Sequence, residues 1–178
     1  MPHSLLPSRI LIVDDNQKNL DALSVILAAP GLEIVQAHSG EDALRLLLND
    51  KDVALIFLDV CMSPGVDGFE CARLIRSNQR HVNTPIIFLT AVATDMEFIF
   101  KGYASGGVDY LTKPFEPSVV KAKAAVFVEL FRSRQAMMHE IKQLESLTER
   151  LRAEVKLRSE ELHSFGHRHP APIKRAGG

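Results

Sequence analysis

Cysteine is scarce in this chain, with only Cys61 and Cys71 among 178 residues. Met1 to Ser8 has neither a basic start nor a long apolar stretch, so no secretory leader is read there. The two thiols are therefore read as reduced and the protein is expected to be cytoplasmic. Long apolar runs are missing too. None approaches the roughly 20 residues that a membrane helix needs, so no membrane insertion is expected. Charge of one sign is not in excess: 21 Lys and Arg face 22 Asp and Glu, a formal net charge of -1. That balance offers no electrostatic case for nucleic acid or for an anionic membrane. No repeat or low-complexity segment occurs in residues 1 to 115, and after Pro117 neither glycine nor proline occurs before Gly166.

What is present is an alternation. Apolar strand-like runs at 9 to 13, 33 to 37, 53 to 58, 85 to 89 and 109 to 112 are separated by amphipathic stretches near 17 to 28, 40 to 49, 68 to 77 and 95 to 105. That order predicts an α/β fold, a parallel sheet covered by helices on both faces. Ser39 with Asp42, and Asp67 with Glu70, have the spacing of capping boxes. Thr84-Pro85 and Ala29-Pro30-Gly31 punctuate turns.

Several of these strands run into polar residues: Asp14 and Asp15, Asp59, Thr90, and Lys113 before Pro114. The carboxyl ends of parallel strands line the ligand crevice of an open sheet, so these residues are expected to converge there. Three carboxylates gathered so closely repel one another. One like-charge pair at about 4 Å is worth roughly 4 kcal/mol at an effective dielectric near 20. Such a cluster must protonate, find a cation or recruit a lysine. A hard, oxygen-seeking divalent ion suits it best, and magnesium characteristically takes one or two carboxylates together with water and phosphate oxygens.

Beyond Pro117 the pattern becomes one long helix, about 70 Å at 1.5 Å per residue. With Ile141 as an a position, Phe127, Arg134, Thr148, Val155 and Leu162 fall at a. Leu130, Met137, Leu144, Leu151, Arg158 and Phe165 fall at d. A mostly apolar seam of this period reads as a coiled coil, and a homodimer through residues 127 to 165 is expected. Thr148, Arg134 and Arg158 weaken it, and Glu140 would face Glu145 across a parallel pair. A lone helix folded back on its domain is the competing reading. The tail, His167 to Gly178, carries two prolines and two terminal glycines and is expected to be disordered. The expected segments are a tail at 1–8, an α/β domain at 9–131, a coiled-coil helix at 132–165 and a second tail at 166–178.

The ordered set Asp14-Asp15, Asp59, Thr90-Ala91 and Tyr110-Leu111-Thr112-Lys113-Pro114-Phe115 resembles the receiver domain of two-component response regulators. It covers roughly residues 8 to 131. The resemblance implies a doubly wound, flavodoxin-like five-stranded sheet of order 2-1-3-4-5. It implies Asp59 as phosphoacceptor, Lys113 as the phosphate-binding lysine, and Thr90 and Tyr110 as switch residues. Magnesium would be held by Asp15 and Asp59, by Asp14 mainly through water, and by the backbone carbonyl of Cys61. Phosphorylation would draw in the Thr90 hydroxyl, let Tyr110 rotate, and move the face around the fourth helix and fifth strand. The chain departs from the family pattern twice. One extra residue lies between Asp59 and Pro64, and one more lies between Thr90 and Lys113, placed near Val92 to Thr94.

The implied partners are a histidine kinase or phosphotransfer protein and a downstream protein. The chain is expected to be a signalling phosphoacceptor, catalysing only its own phosphorylation and dephosphorylation. No helix-turn-helix, second α/β unit or catalytic output domain is read after the receiver. Two other readings stand beside it. One is a constitutive coiled-coil scaffold whose receiver is not phosphorylated. The other is a magnesium-dependent phosphatase, for which an acid two residues past the nucleophile would be wanted, where Cys61 stands. His38, His81 and His139 are read as solvated. His163, His167 and His169 could form a metal tract, and Phe165 to Ile173 faintly resembles a kinase acceptor-histidine segment, with His169 as the acceptor. Such a helix follows the receiver in hybrid histidine kinases.

Overall fold

The computed structural model describes residues 7–49, 52–91 and 101–168. Five strands form one parallel sheet in the order β2-β1-β3-β4-β5. They are β1 (Ser8–Val13), β2 (Leu32–Ala37), β3 (Val53–Asp59), β4 (Ile86–Thr90) and β5 (Asp109–Thr112), and the helices are α1 (Gln17–Leu27), α2 (Gly40–Asn49), α3 (Gly68–Ser77) and α4 (Pro117–Arg168). Residues 101–104 are also helical; the rest of the helix expected near 95 to 105, and the insertion near Val92 to Thr94, lie outside the described residues.

The strand alternation has a period of two and sorts side chains onto opposite faces of the sheet. Leu11, Val13, Ile56, Leu58, Ile86 and Phe88 pack on one face with α2 and α3. Ile10, Ile12, Leu55, Phe57, Ile87 and Leu89 pack on the other with α1 and the first turns of α4. Every residue of β3 and β4 is buried. Two-sided burial explains why these strands read as unbroken apolar runs rather than as alternating ones.

Local signals set the element boundaries. The Ser39 hydroxyl accepts from the Asp42 N–H at 3.0 Å, and Asp42 accepts from the His38 N–H at 3.2 Å. Asp67 accepts from the Glu70 N–H at 2.8 Å. At α4, the N–H groups of Val119 and Val120 both donate to the Glu116 carbonyl, which places Pro117 in the first turn, where its missing donor costs nothing.

The chain divides into two compact units, residues 1–132 and 133–178. In the first, Val120, Ala124 and Val128 of α4 are buried, with Phe127 and Phe131 packed beside them. Phe127, the first residue of the expected seam, is half-buried and packs against the receiver core, with Ala124 and Phe131 of neighbouring turns beside it. Arg132 closes the unit by donating to the Ser8 hydroxyl at 3.0 Å and the Gly31 carbonyl at 2.9 Å. The described residues of the second unit, 133–168, are helix. Gly166 does not end it, since the helix continues to Arg168. Residues 169–178 and 1–6, which hold most of the expected tails and His169, lie outside the described residues.

One histidine assignment is overturned. His81 is fully buried, its Nε2 3.0 Å from the Leu47 carbonyl and its Nδ1 3.3 Å from the Thr84 hydroxyl. It ties the end of α2 to the loop before β4, a role that no sequence period announces.

Candidate phosphoacceptor site

The carboxyl ends of β1, β3 and β4 and the residue after β5 bring the expected polar groups together. Asp14 follows Val13 and is completely buried, whereas Asp15, one residue on, is exposed. Asp59 and Thr90 are the last residues of their strands rather than the first beyond them, and both are nearly inaccessible. Their backbones stay in the ladder: Val60 N–H donates to the Leu89 carbonyl at 3.1 Å and Lys113 N–H to the Thr90 carbonyl at 2.8 Å. That hydrogen bonding fixes the main chain from which both side chains project.

Carboxylate oxygens of Asp14, Asp15 and Asp59 lie within 4.8 Å of one another. Lys113 Nζ sits 2.8 Å from Asp14 Oδ2 and 3.1 Å from Asp59 Oδ1. One ammonium thus bridges two buried acids. Burial, then the charge of Asp14, push the Asp59 carboxyl above its usual range, against the pull of Lys113. For Lys113, burial acts to lower the ammonium, but the hydrogen bonds and charges of Asp14 and Asp59 together outweigh it and hold it above an ordinary lysine. Three acids compensated by one lysine leave the pocket short of positive charge. An all-oxygen donor set with that deficit fits a hard divalent cation.

The loop after β3 supplies backbone. Cys61 N–H donates to Asp59 Oδ1 at 3.4 Å and Ser63 N–H to Asp15 Oδ2 at 3.4 Å. Cys61 is exposed beside this turn. Cys71 is buried on α3, its thiol pushed up to about 12 by burial and then by Glu41 and Asp67. A Cβ on Gly68 would lie 2.2 Å from the Asp59 carbonyl oxygen, so only glycine lets α3 begin this close to β3.

Tyr110 does not point into solvent. Its ring is half-buried, with its centroid 5.7 Å from that of Phe88 and 5.5 Å from that of Tyr103. Burial, then Tyr103, raise its phenol, with a Gly102 backbone hydrogen bond pulling the other way. A Cβ on Gly102 would fall 1.4 Å from the Tyr110 hydroxyl.

Sequence reasoning missed Asn19. Its side-chain amide donates to both oxygens of Asp14, at 3.1 and 3.0 Å. The signal was present as an amide five residues past the acid, in the first turn of α1, but many helix-surface asparagines have that spacing.

Residues 10–125 match the family model for the response regulator receiver domain. The chain is 42% identical over 118 residues to the transcriptional regulatory protein AfsQ1 of Streptomyces coelicolor, covering 66% of this chain and 49% of that protein. It is 37% identical over 134 residues to the DNA-binding dual master transcriptional regulator RpaA of a Synechocystis species, covering 74% and 54%. It spans about half the length of the curated relatives it matches. Among solved structures, chemotaxis protein CheY4 of Vibrio cholerae superposes with a TM-score of 0.61 at 31% identity, over 68% of this chain and 98% of that one. A two-component response regulator from Clostridium difficile gives 0.62 at 30% identity, over 68% and 96%.

Proposed function

Because the chain belongs to the response regulator receiver family, we propose that it accepts a phosphoryl group on Asp59 from a histidine kinase or phosphotransfer protein and signals through protein contacts. The observation that carries this reading is the bridging of Asp14 and Asp59 by Lys113 beside a third acid, at the carboxyl edge of the sheet.

A carboxylate is a weak nucleophile toward phosphorus unless it is held in line and the charge on the transferring oxygens is met. Asp59 is held by its ladder position and by the Cys61 N–H. One of its oxygens forms the new bond to phosphorus while the bond from phosphorus to the donor's imidazole nitrogen breaks, and that nitrogen keeps the electron pair. Lys113, already touching Asp59, is within reach of the arriving phosphoryl oxygens. Thr90, at the end of the neighbouring strand, supplies a hydroxyl on the same side. Asp15 and Asp59 would hold magnesium directly, with the Cys61 carbonyl as a further ligand and Asp14 acting through water. When bound, the ion supplies positive charge to the phosphoryl oxygens. Autophosphorylation and its reversal are the only chemistry assigned to the chain.

The switch is assigned to Thr90 and Tyr110. In the resting arrangement Tyr110 is packed on Phe88 and Tyr103, so a change at Thr90 reaches an aromatic cluster. Output is assigned to protein contacts of the receiver face and to a homodimer formed along α4. The exposed stripe from Leu130 to Phe165 supports the dimer, since Leu144, Leu151 and Leu162 are 57%, 52% and 73% exposed in a single chain. Among the described residues no helix is long and apolar enough to cross a membrane. A cytoplasmic location is the setting in which a kinase could reach Asp59.

Intact-mass spectrometry after incubation with acetyl phosphate and magnesium tests the reading. The expected result is a labile gain of one phosphoryl group in wild type and none in Asp59→Asn. No gain in wild type would favour the scaffold.

A further inference from the structure

Asp14 is fully buried and cannot turn to solvent for hydrogen bonds. Its oxygens are met from three directions. Asn16 N–H donates to Oδ1 at 2.8 Å, Lys113 Nζ to Oδ2 at 2.8 Å, and the Asn19 amide to both, at 3.1 and 3.0 Å. An ionised carboxylate only accepts, so it must be the NH2 of Asn19 that faces it. Lys113 is shared with Asp59. A phosphoryl group on Asp59 would draw the ammonium toward its own oxygens. Asp14, itself buried, would then lose the one cationic side chain that reaches it among the described residues. A buried charge stripped of its partners is costly, and that cost would hold Lys113 where it is.

We infer that Asn19 is a positioning residue of the phosphoacceptor site: its amide fixes the plane of the Asp14 carboxylate and keeps it satisfied, so that Lys113 is free to leave Asp14 for the phosphoryl group. The inference rests on the reading of this pocket as a magnesium-dependent phosphoacceptor site. It goes beyond that reading by assigning a working part to a residue of α1 that touches neither Asp59 nor the incoming group. Groups that orient a metal-site carboxylate have measurable effects, typically about 10- to 100-fold in affinity or activity.

A merely structural role for Asn19, bracing α1 against β1, predicts something different. Leu23 provides the contrast. It is buried on α1 in the core that this helix shares with Ile10 and Ile12, and its aliphatic side chain offers Asp14 no hydrogen bond. Leu23→Val therefore loosens the packing of α1 without altering the groups that hydrogen-bond Asp14. Asn19→Leu does the reverse, because leucine matches asparagine in branching and heavy-atom count and is the better helix former.

The test uses the full chain. Magnesium binding is measured by calorimetry without any phosphodonor, and the rate of Asp59 phosphorylation is followed by intact mass at saturating magnesium. In Asn19→Leu, magnesium affinity should fall about tenfold and the rate by a similar factor. Asn19→Ala, which leaves space in place of the amide, should do the same. Leu23→Val should lower the melting temperature while leaving both quantities within about twofold of wild type, an effect of an ordinary core truncation. Wild-type behaviour in both Asn19 variants would overturn the inference while leaving the phosphoacceptor reading intact. Equal losses in Leu23→Val would overturn it in favour of the brace. Absence of both magnesium binding and phosphorylation in wild type would remove the reading and the inference together.

Discussion

The two units of this chain place apolar residues and charges in opposite ways. In residues 1–132, Leu11, Phe57 and Phe88 are essentially inaccessible, and the charges that matter are the ones crowded into the pocket at the strand ends. In residues 133–168 every residue is exposed, leucines included, and charges pair along the helix surface, as Arg158 does with Glu154 at 3.0 Å. The first unit satisfies its own hydrophobic effect and spends part of that stability on confining Asp14 and Asp59. The described part of the second buries no residue. An isolated helix gains little beyond propensity and a few tenths of a kcal/mol per ion pair, which is why an association along its apolar stripe is what the predictions below test.

The largest expected effect breaks the chemistry of the first unit alone. Asp59→Asn should abolish phosphorylation completely in the mass assay while leaving the far-ultraviolet dichroism of both units unchanged. Next in size is the contrast between equivalent truncations in the two units. Phe88→Ala, at a fully buried ring in edge contact with Phe69 at 5.1 Å, should cost about 3–5 kcal/mol by denaturant unfolding. Leu151→Ala should leave the receiver's unfolding transition in place and instead weaken association. Equal losses at the two positions would erase the distinction between the units.

Removal of the second unit sharpens the comparison further. A chain ending at Arg132 should keep a cooperative melt, because the α4 residues buried in the receiver core and the Arg132 contacts are retained, and light scattering should show a monomer where the full chain shows a dimer. The same mass per particle count in both would place oligomerisation elsewhere.

The smallest effect is electrostatic. Burial and Asp14 raise the Asp59 carboxyl, so between its unfolded value, about 3.9, and its higher folded value the native state holds the extra proton. Stability therefore falls as pH rises through that window and stays lower above it. Asp59→Asn removes the penalty. Without magnesium its melting temperature should exceed that of wild type at neutral pH, and the difference should vanish below about pH 4. Magnesium should raise the wild-type midpoint by mass action and the mutant's less. A variant less stable than wild type at neutral pH would contradict the crowded-acid account.

Much of this was legible in the residues themselves. Unbroken runs such as Val53 to Leu58 announced strands buried on two faces, Ser39 and Asp67 announced helix starts, and the acids and lysine at strand ends announced a common pocket. Those signals are local, or they follow from a rule about parallel sheets, and so they survive without coordinates. Which members of the pocket are buried was not legible. Asp14 and Asp15 are neighbours of the same type, yet one is sealed beneath Lys113 and Asn19 while the other stands exposed at the mouth. The burial of His81, the reservation of Gly68 and Gly102 for close approach, and the capture of Phe127 by the receiver core depend likewise on what other segments bring near. Chain order and hydrophobic period determined the architecture and the cast of the site. Only tertiary packing decided how the charges are shared among its residues, because burial and partnership are properties of neighbours far apart in the chain.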